Sequence, residues 1–86
     1  MSSYVVEVKP PARKELEGLP NSVLARAVRK MEYLADNPRP AGCKKLKGNR
    51  DLWRIRVGDW RILYIIDDGV KLISVTRIAH RREAYE

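Results

Sequence analysis

The chain has few of the residues that build disulfides, metal centres and phosphate-binding loops. It contains one cysteine, Cys43, one histidine, His80, and no phenylalanine. A single cysteine allows neither an internal disulfide nor a cysteine-based zinc site, and a single histidine leaves no pair to hold a metal. There is no acidic cluster for two-metal catalysis and no glycine-rich loop before a helix. We therefore expect neither a metal site nor a cofactor.

Long apolar runs are also missing. No run approaches the roughly 20 residues that a membrane span needs, and Met1 to Tyr4 lead into a strand-like segment without the features of a signal peptide. At 86 residues, 44% hydrophobic and 34% charged, the composition is globular. We expect one domain covering residues 1–86, in the cytoplasm and without a membrane partner.

Acidic residues are outnumbered by basic ones. The net charge is +7, of which +2 falls in residues 1–43 and +5 in residues 44–86. An excess of positive charge attracts polyanions such as nucleic acid and speeds encounters with them. A basic domain that is merely soluble is the plainer alternative, so the positions of the charges have to decide.

The hydrophobic pattern predicts an α+β fold in the order β-α-α-β-β-β. A first strand covers Tyr4 to Val8, followed by two amphipathic helices, of which the second is capped by Asn21 or Ser22. The other predicted bounds are about Pro11 to Leu19 and up to Asn37 for the helices, and Leu52 to Val57, Trp60 to Ile66 and Val70 to Ile78 for the strands. This order predicts an α-helical hairpin on one face of a small antiparallel sheet, with the other face free for a ligand.

Three arginines are predicted to share that free face. Gly58 and Asp59 form a two-residue type II′ turn with positive φ at the glycine, so Arg56 lies opposite Arg61 and Arg54 lies on the same side. Facing like charges destabilise a sheet, whereas a shared anionic ligand would explain them. The alternative is a solvated surface on which the arginines splay apart or meet acidic neighbours. We call Arg54, Arg56 and Arg61 the arginine face.

Further candidates lie in a basic loop and at the C-terminal end. The loop from Arg39 to Asp51 offers three phosphate-binding candidates, namely Lys45, Lys47 and Arg50. The C-terminal end offers four more residues, namely His80, Arg81, Arg82 and Tyr85. Arginine donates paired hydrogen bonds to phosphate, histidine carries a proton near neutral pH, and tyrosine stacks on unpaired bases. A turn at Asp68-Gly69 would put Thr76 opposite Arg61 and bring the C-terminal end to the arginine face.

Several segments resemble the RelE/ParE superfamily of toxins, and the resemblance covers nearly the whole chain. The segments are Pro11-Ala12-Arg13-Lys14-Glu15-Leu16, Leu19-Pro20, Lys45-Leu46-Lys47-Gly48, residues 52–64 (LWRIRVGDWRILY) and residues 78–85 (IAHRREAY). The last segment is similar to the RelE branch. The resemblance implies a compact fold like that of microbial ribonucleases and metal-independent mRNA cleavage, by attack of the RNA 2′-hydroxyl, in the ribosomal A site. It also implies a cognate RelB-like antitoxin, which we expect to be acidic and to fold on binding.

The resemblance also implies roles for individual residues. Arg61 and Arg81 match arginines that hold the phosphate and stabilise the transition state, and Tyr85 matches a tyrosine tied to activity. Arg54 and Arg56 stand where some relatives have lysine, and because arginine does not lose its proton we assign them as phosphate clamps. The general base stays open between Tyr85 and His80. A ParE-like gyrase-inhibiting toxin and a non-catalytic RNA-binding module are the alternatives.

Overall fold

The computed structural model describes residues 4–46, 48 and 51–82. Its elements are, in chain order, β1 (Val5–Val8), α1 (Pro10–Glu17), α2 (Asn21–Leu34), β2 (Lys44–Lys45), β3 (Leu52–Val57), β4 (Trp60–Asp67) and β5 (Leu72–His80). The α+β class is confirmed, with both helices between the first strand and the other four. No helix among the described residues is long and apolar enough to cross a membrane.

The five strands form one sheet in the order β1-β5-β4-β3-β2. Neighbouring pairs from β2 to β5 are antiparallel, but β1 runs parallel to β5, with Val6 beside Ile73. The sheet is therefore mixed: the prediction of an antiparallel sheet is confirmed for β2 to β5 and is wrong for β1. The long connection through α1 and α2 makes a parallel pairing possible, because parallel strands need a crossover rather than a tight turn.

The helices cover one face of the sheet and enclose the core. Along β3 and β4, Ile55, Val57, Ile62 and Tyr64 turn towards the helices and are at most 4% exposed. The helices contribute mainly Ala12, Ala27, Met31 and Leu34. Trp53 and Trp60, predicted to lie on this face, are partly buried and pack against the same cluster. The opposite face of β3 and β4 is thereby left open.

Prolines start both helices. Pro10 opens α1 with Lys9 at the N-cap, and Pro20 is the N-cap of α2, with no side-chain cap hydrogen bond at either start. The predicted cap at Asn21 or Ser22 was therefore wrong. The fixed φ of proline and its extended ψ place the Pro20 carbonyl as the first acceptor of α2, where it receives the Leu24 N–H at 2.8 Å.

Glu15 of α1 forms hydrogen bonds with β5 beyond the point where β1 stops pairing with it. The pairing of β1 with β5 ends at Val8 and Val75. Beyond it, the Glu15 carboxylate accepts the Ile78 N–H at 2.7 Å and the Arg77 Nε–H at 2.8 Å. One helix residue thus satisfies a strand donor and fixes the strand end that leads to Arg81.

We expect Glu15→Ala to lower the free energy of unfolding by about 1–3 kcal/mol, because it leaves a partly buried backbone N–H without its charged acceptor. Urea unfolding of the purified protein measures this loss. Glu17→Ala removes an exposed carboxylate from the same helix and should stay within about 0.5 kcal/mol of wild type. Equal losses in the two variants would show that the Glu15 bonds do not stabilise the fold.

Candidate nucleic-acid interface

The β3–β4 hairpin has the predicted register. Val57 pairs with Trp60, Arg56 with Arg61, Ile55 with Ile62 and Arg54 with Leu63. Gly58 has φ +60°, and Asp59 does not have positive φ, as a type II′ turn requires. The turn therefore holds Arg56 and Arg61 side by side on the open face of the sheet.

Arg61 lies at the centre of a cluster of four arginines. Its partial burial is the main reason why its pKa falls below the ordinary value, and the nearby charges of Arg56, Arg54 and Arg81 lower this pKa further. Its Nη1 donates to the backbone oxygens of Gly58 at 3.1 Å and Trp60 at 3.0 Å. These bonds aim the guanidinium at the turn while neighbouring cations raise its electrostatic energy. Such a site gains from an anion that the four arginines share.

The chain leaving β5 is tied to the same turn. The backbone N–H of Arg81 donates to the backbone carbonyl oxygen of Asp59 at 2.7 Å. This hydrogen bond holds the backbone at Arg81 against the β3–β4 turn. The Arg81 guanidinium is 3.8 Å from the Asp59 carboxylate, and both side chains are more than half exposed. An exposed pair at this distance is weak. The Arg81 guanidinium can therefore leave Asp59 at little cost.

The register between β4 and β5 differs from the prediction. Arg61 pairs with Ala79, not with Thr76, because the turn spans residues 68–71 and the register shifts between Leu63 and Tyr64. Thr76 lies at this irregularity, where its hydroxyl donates to the Leu63 oxygen at 3.3 Å. The small Ala79 side chain thus occupies the position beside Arg61, and no bulky group of β5 covers the arginine.

His80 lies on the other side of the sheet from Arg61. It pairs with Trp60, whose ring packs against the core, and the two rings meet edge to face with centroids 5.4 Å apart. Its Nδ1 accepts the Arg82 N–H at 3.3 Å. The strand register therefore does not bring the imidazole to the arginine cluster. Arg82 itself is exposed just beyond the strand.

Lys44, one of the loop cations that the structure describes, lies in the same row as Arg54 of the arginine face. Lys44 pairs with Arg54, whereas the predicted candidate Lys45 pairs with Trp53, on the helix side. Lys44 was not predicted from the sequence because a strand of only two residues is too short to show the alternation of polar and apolar side chains that identifies a strand. Three other predicted candidates, Lys47, Arg50 and Tyr85, lie outside the described residues.

No group of three or more His, Cys, Asp or Glu side chains is positioned to hold a metal ion within the part of the chain that the structure describes. The site that the structure assembles is cationic. Positive charges of this kind attract an anion, and the arginines among them do not exchange protons at neutral pH.

We expect Arg54, Arg56 and Arg61 to act as one electrostatic unit in RNA binding. Alanine at any of them should weaken binding and reduce the slope of log K against log salt by roughly 0.7, because one phosphate contact no longer releases its counterions. Titrations of RNA at several salt concentrations measure this slope. Wild-type slopes in all three variants would mean that RNA does not contact this face.

Comparisons with known proteins agree with this architecture. Residues 6–85 match the family model described as the ParE toxin of the type II toxin–antitoxin system parDE. A putative RelE toxin of Methanocaldococcus jannaschii is 32% identical, with 96% of each chain covered. The RelE toxin of Mycobacterium tuberculosis is 33% identical, with 95% of this chain and 86% of the relative covered.

A solved structure shows the same fold. In the archaeal RelE–RelB complex of Pyrococcus horikoshii, the matched chain superposes with a TM-score of 0.83 and 29% identity, over 94% of this chain and 98% of the other. The fold is therefore the α+β fold of the RelE toxins. The chain belongs to the RelE/ParE family of toxins of type II toxin–antitoxin systems.

Proposed function

We propose that the protein is a ribosome-dependent endoribonuclease that cuts mRNA in the A site and so inhibits translation. The observation that carries the proposal is the convergence of Arg54, Arg56 and Arg81 on a partly buried Arg61. Folding alone gives no reason for this concentration of like charge. The phosphate of an RNA chain in transition to a cyclic product carries the added negative charge that such a cluster stabilises.

The reaction proposed is transfer of the phosphate within the RNA strand. The 2′-oxygen attacks the adjacent phosphorus, the bond from phosphorus to the 5′-oxygen breaks, and the fragments end in a 2′,3′-cyclic phosphate and a 5′-hydroxyl. Arg61 and Arg81 stabilise the charge that develops on the non-bridging oxygens, while Arg54 and Arg56 hold the backbone. A base takes the proton of the 2′-hydroxyl, and an acid returns a proton to the leaving oxygen.

Tyr85 and His80 are the two candidates for moving these protons. The contact of His80 with Trp60, on the face away from Arg61, favours Tyr85.

We infer that the chain acts in the cytoplasm, where ribosomes are found, and is neutralised by an antitoxin. RelE chains similar to this one have been solved in complex with RelB, in Pyrococcus horikoshii and in Mycobacterium tuberculosis. A net charge of +7 favours an acidic partner. A disordered segment that folds on the toxin would cover a large surface.

Inhibition of DNA gyrase is the second candidate, because the matching family model is described as a ParE toxin. The same arginines would then contact a protein or DNA rather than mRNA. Induction of the protein in cells, with mapping of mRNA 5′ ends against the reading frame, separates the two. Cuts in phase with codons support mRNA cleavage, whereas DNA damage without such cuts supports gyrase inhibition.

The proposed chemistry predicts the ends of the products and the effect of a chelator. Because the RNA supplies the nucleophile and arginines supply the positive charge, we expect cleavage to continue in EDTA when the ribosomes are kept intact with polyamines. The upstream fragment should end in a 2′,3′-cyclic phosphate or a 3′-phosphate. End-group analysis of the fragments checks this prediction, and a 5′-phosphate on the downstream fragment would rule out attack by the 2′-hydroxyl.

A further inference from the structure

A cavity of about 280 Å³ opens beside the arginine face, between α2 and the edge of β3. Its walls are Lys30 and Tyr33 of α2, the backbone turn of residues 40–42, and Ile55 and Arg56 of β3. Arg56 therefore borders both the cavity and the arginine cluster. A chain that crosses the arginine face can enter the cavity without leaving the surface.

The cavity exists because the outer strand of the sheet is short. β2 pairs with Trp53 and Arg54 only, and among the described strands none continues beside Ile55 and Arg56 on that side. Ile55 and Arg56, on this open edge of β3, line the cavity. An open strand edge offers hydrogen-bond donors and acceptors to whatever binds there.

The α2 wall is cationic and aromatic. Arg26, Arg29, Lys30 and Tyr33 follow the spacing i, i+3, i+4, i+7 and therefore share one helix face. Together these four side chains line a shallow apolar groove that continues the cavity along the helix. Among the residues that the structure describes, no carboxylate pairs with the three cations. Tyr33 is 55% exposed, so its ring is available to a ligand.

We propose that this cavity binds one unpaired nucleotide of the RNA strand that crosses the arginine face, with its base against Tyr33 and its phosphate between Lys30 and Arg56. The inference rests on the proposed function, since it takes RNA as the substrate. Unpaired bases stack on exposed aromatic side chains and present their hydrogen-bonding edges to nearby polar groups. The backbone edge of β3 is the group that would read this base.

Charge favours RNA over a protein segment as the occupant. The cavity joins a helix face with three cations to a strand face with three arginines, and counterion release along such a path favours a polyanionic chain. The alternative occupant is a strand of a partner protein added to the edge of β3. An acidic segment of an antitoxin would satisfy part of the same charge, so the test has to separate the two.

The test uses the purified full-length chain and a fluorescently labelled single-stranded RNA of about twelve nucleotides, long enough to span a single-stranded binding site. Fluorescence anisotropy gives Kd for wild type, Tyr33→Ala, Tyr33→Phe and Lys30→Ala, with Lys14→Ala on the exposed face of α1 as the matched control. We expect Tyr33→Ala to raise Kd about fivefold to tenfold, the lower end of the range for base stacking. Tyr33→Phe keeps the ring and should bind as wild type does.

Lys30→Ala should lower the salt slope by roughly 0.7, one phosphate contact on a single strand, whereas Lys14→Ala should not change it. The proposal is overturned if Tyr33→Ala binds RNA as wild type does, or if wild type binds the RNA more weakly than about 100 µM. It is also overturned if the Tyr33 and Lys30 variants lose affinity for the antitoxin and keep their affinity for RNA.

Failure here is distinguishable from failure of the proposed function. Cleavage on ribosomes with RNA binding that does not depend on Tyr33 would leave the function standing and remove the cavity. RNA binding that depends on Tyr33, without any cleavage on ribosomes, would support the nucleotide site in the cavity and contradict the proposed function.

Discussion

Arg81→Ala is expected to bind the ribosome nearly as wild type does but to cut mRNA about tenfold to a thousandfold more slowly. Its guanidinium can meet the phosphate, because the ion pair that it makes among the described residues, with Asp59 at 3.8 Å, is weak and exposed. Removing a group that stabilises transition-state charge lowers the chemical step far more than binding. Single-turnover cleavage on programmed ribosomes measures the rate, and pelleting with ribosomes measures the occupancy.

The matched control is Arg13→Ala, which removes an exposed arginine of α1 far along the chain from the cluster. This variant should cut at the wild-type rate. A rate for Arg81→Ala equal to that of the control would remove Arg81 from the reaction. A loss of ribosome binding equal to the loss of rate would make Arg81 a binding residue instead.

Tyr85→Phe is expected to slow cleavage by a similar factor, about tenfold to a thousandfold, if the phenol moves a proton in the reaction. The substitution removes one oxygen and keeps the ring, so a slower reaction reports on the hydroxyl itself. The control is His80→Ala, which removes the other candidate. Single-turnover rates across pH compare the two variants, because loss of the titrating group also changes the pH profile.

The reverse result would reassign the proton carrier. A wild-type rate for Tyr85→Phe with an inactive His80→Ala variant would place the acid or base at the imidazole, despite its contact with Trp60. Wild-type rates for Arg81→Ala, Tyr85→Phe and His80→Ala together would give the C-terminal end a purely structural role.

The arginine face could be predicted from sequence because its geometry is local. A two-residue turn with glycine at the position of positive φ fixes the register of its strands, and alternation then assigns every side chain to a face. The structure confirms the pairing of Arg56 with Arg61 and the burial of Ile55 and Ile62 behind them.

Features that depend on distant parts of the chain were not predictable in the same way. The parallel pairing of β1 with β5 joins segments more than 60 residues apart, and no local signal sets its direction. The longer turn at residues 68–71 and the irregularity at Thr76 together put Ala79, rather than Thr76, beside Arg61. The irregularity, a one-residue shift, depends on packing across two strands, and its signal in the sequence is weak.

The sequence identifies the basic residues of the second half of the chain, but it does not show which of them lie on the arginine face. The +5 charge of residues 44–86 indicated a cationic half, but only the sheet register separates Lys44, beside Arg54, from Lys45, beside Trp53. The cavity at Tyr33 was also not predictable, because it forms where the short strand β2 stops pairing with β3. Its tyrosine and lysine belong to a helix face that reads in the sequence as ordinary solvent-exposed surface.

The most direct test of the account is cleavage of one mRNA by the purified protein in two states, free and on ribosomes that hold a chosen codon in an empty A site. We predict cuts within that codon on the ribosome, a shift of the cuts by three nucleotides when the ribosome is moved by one codon, and little cutting of the free mRNA. Intact mRNA on the ribosome, or identical cuts in the free and ribosome-bound states, would contradict ribosome-dependent cleavage.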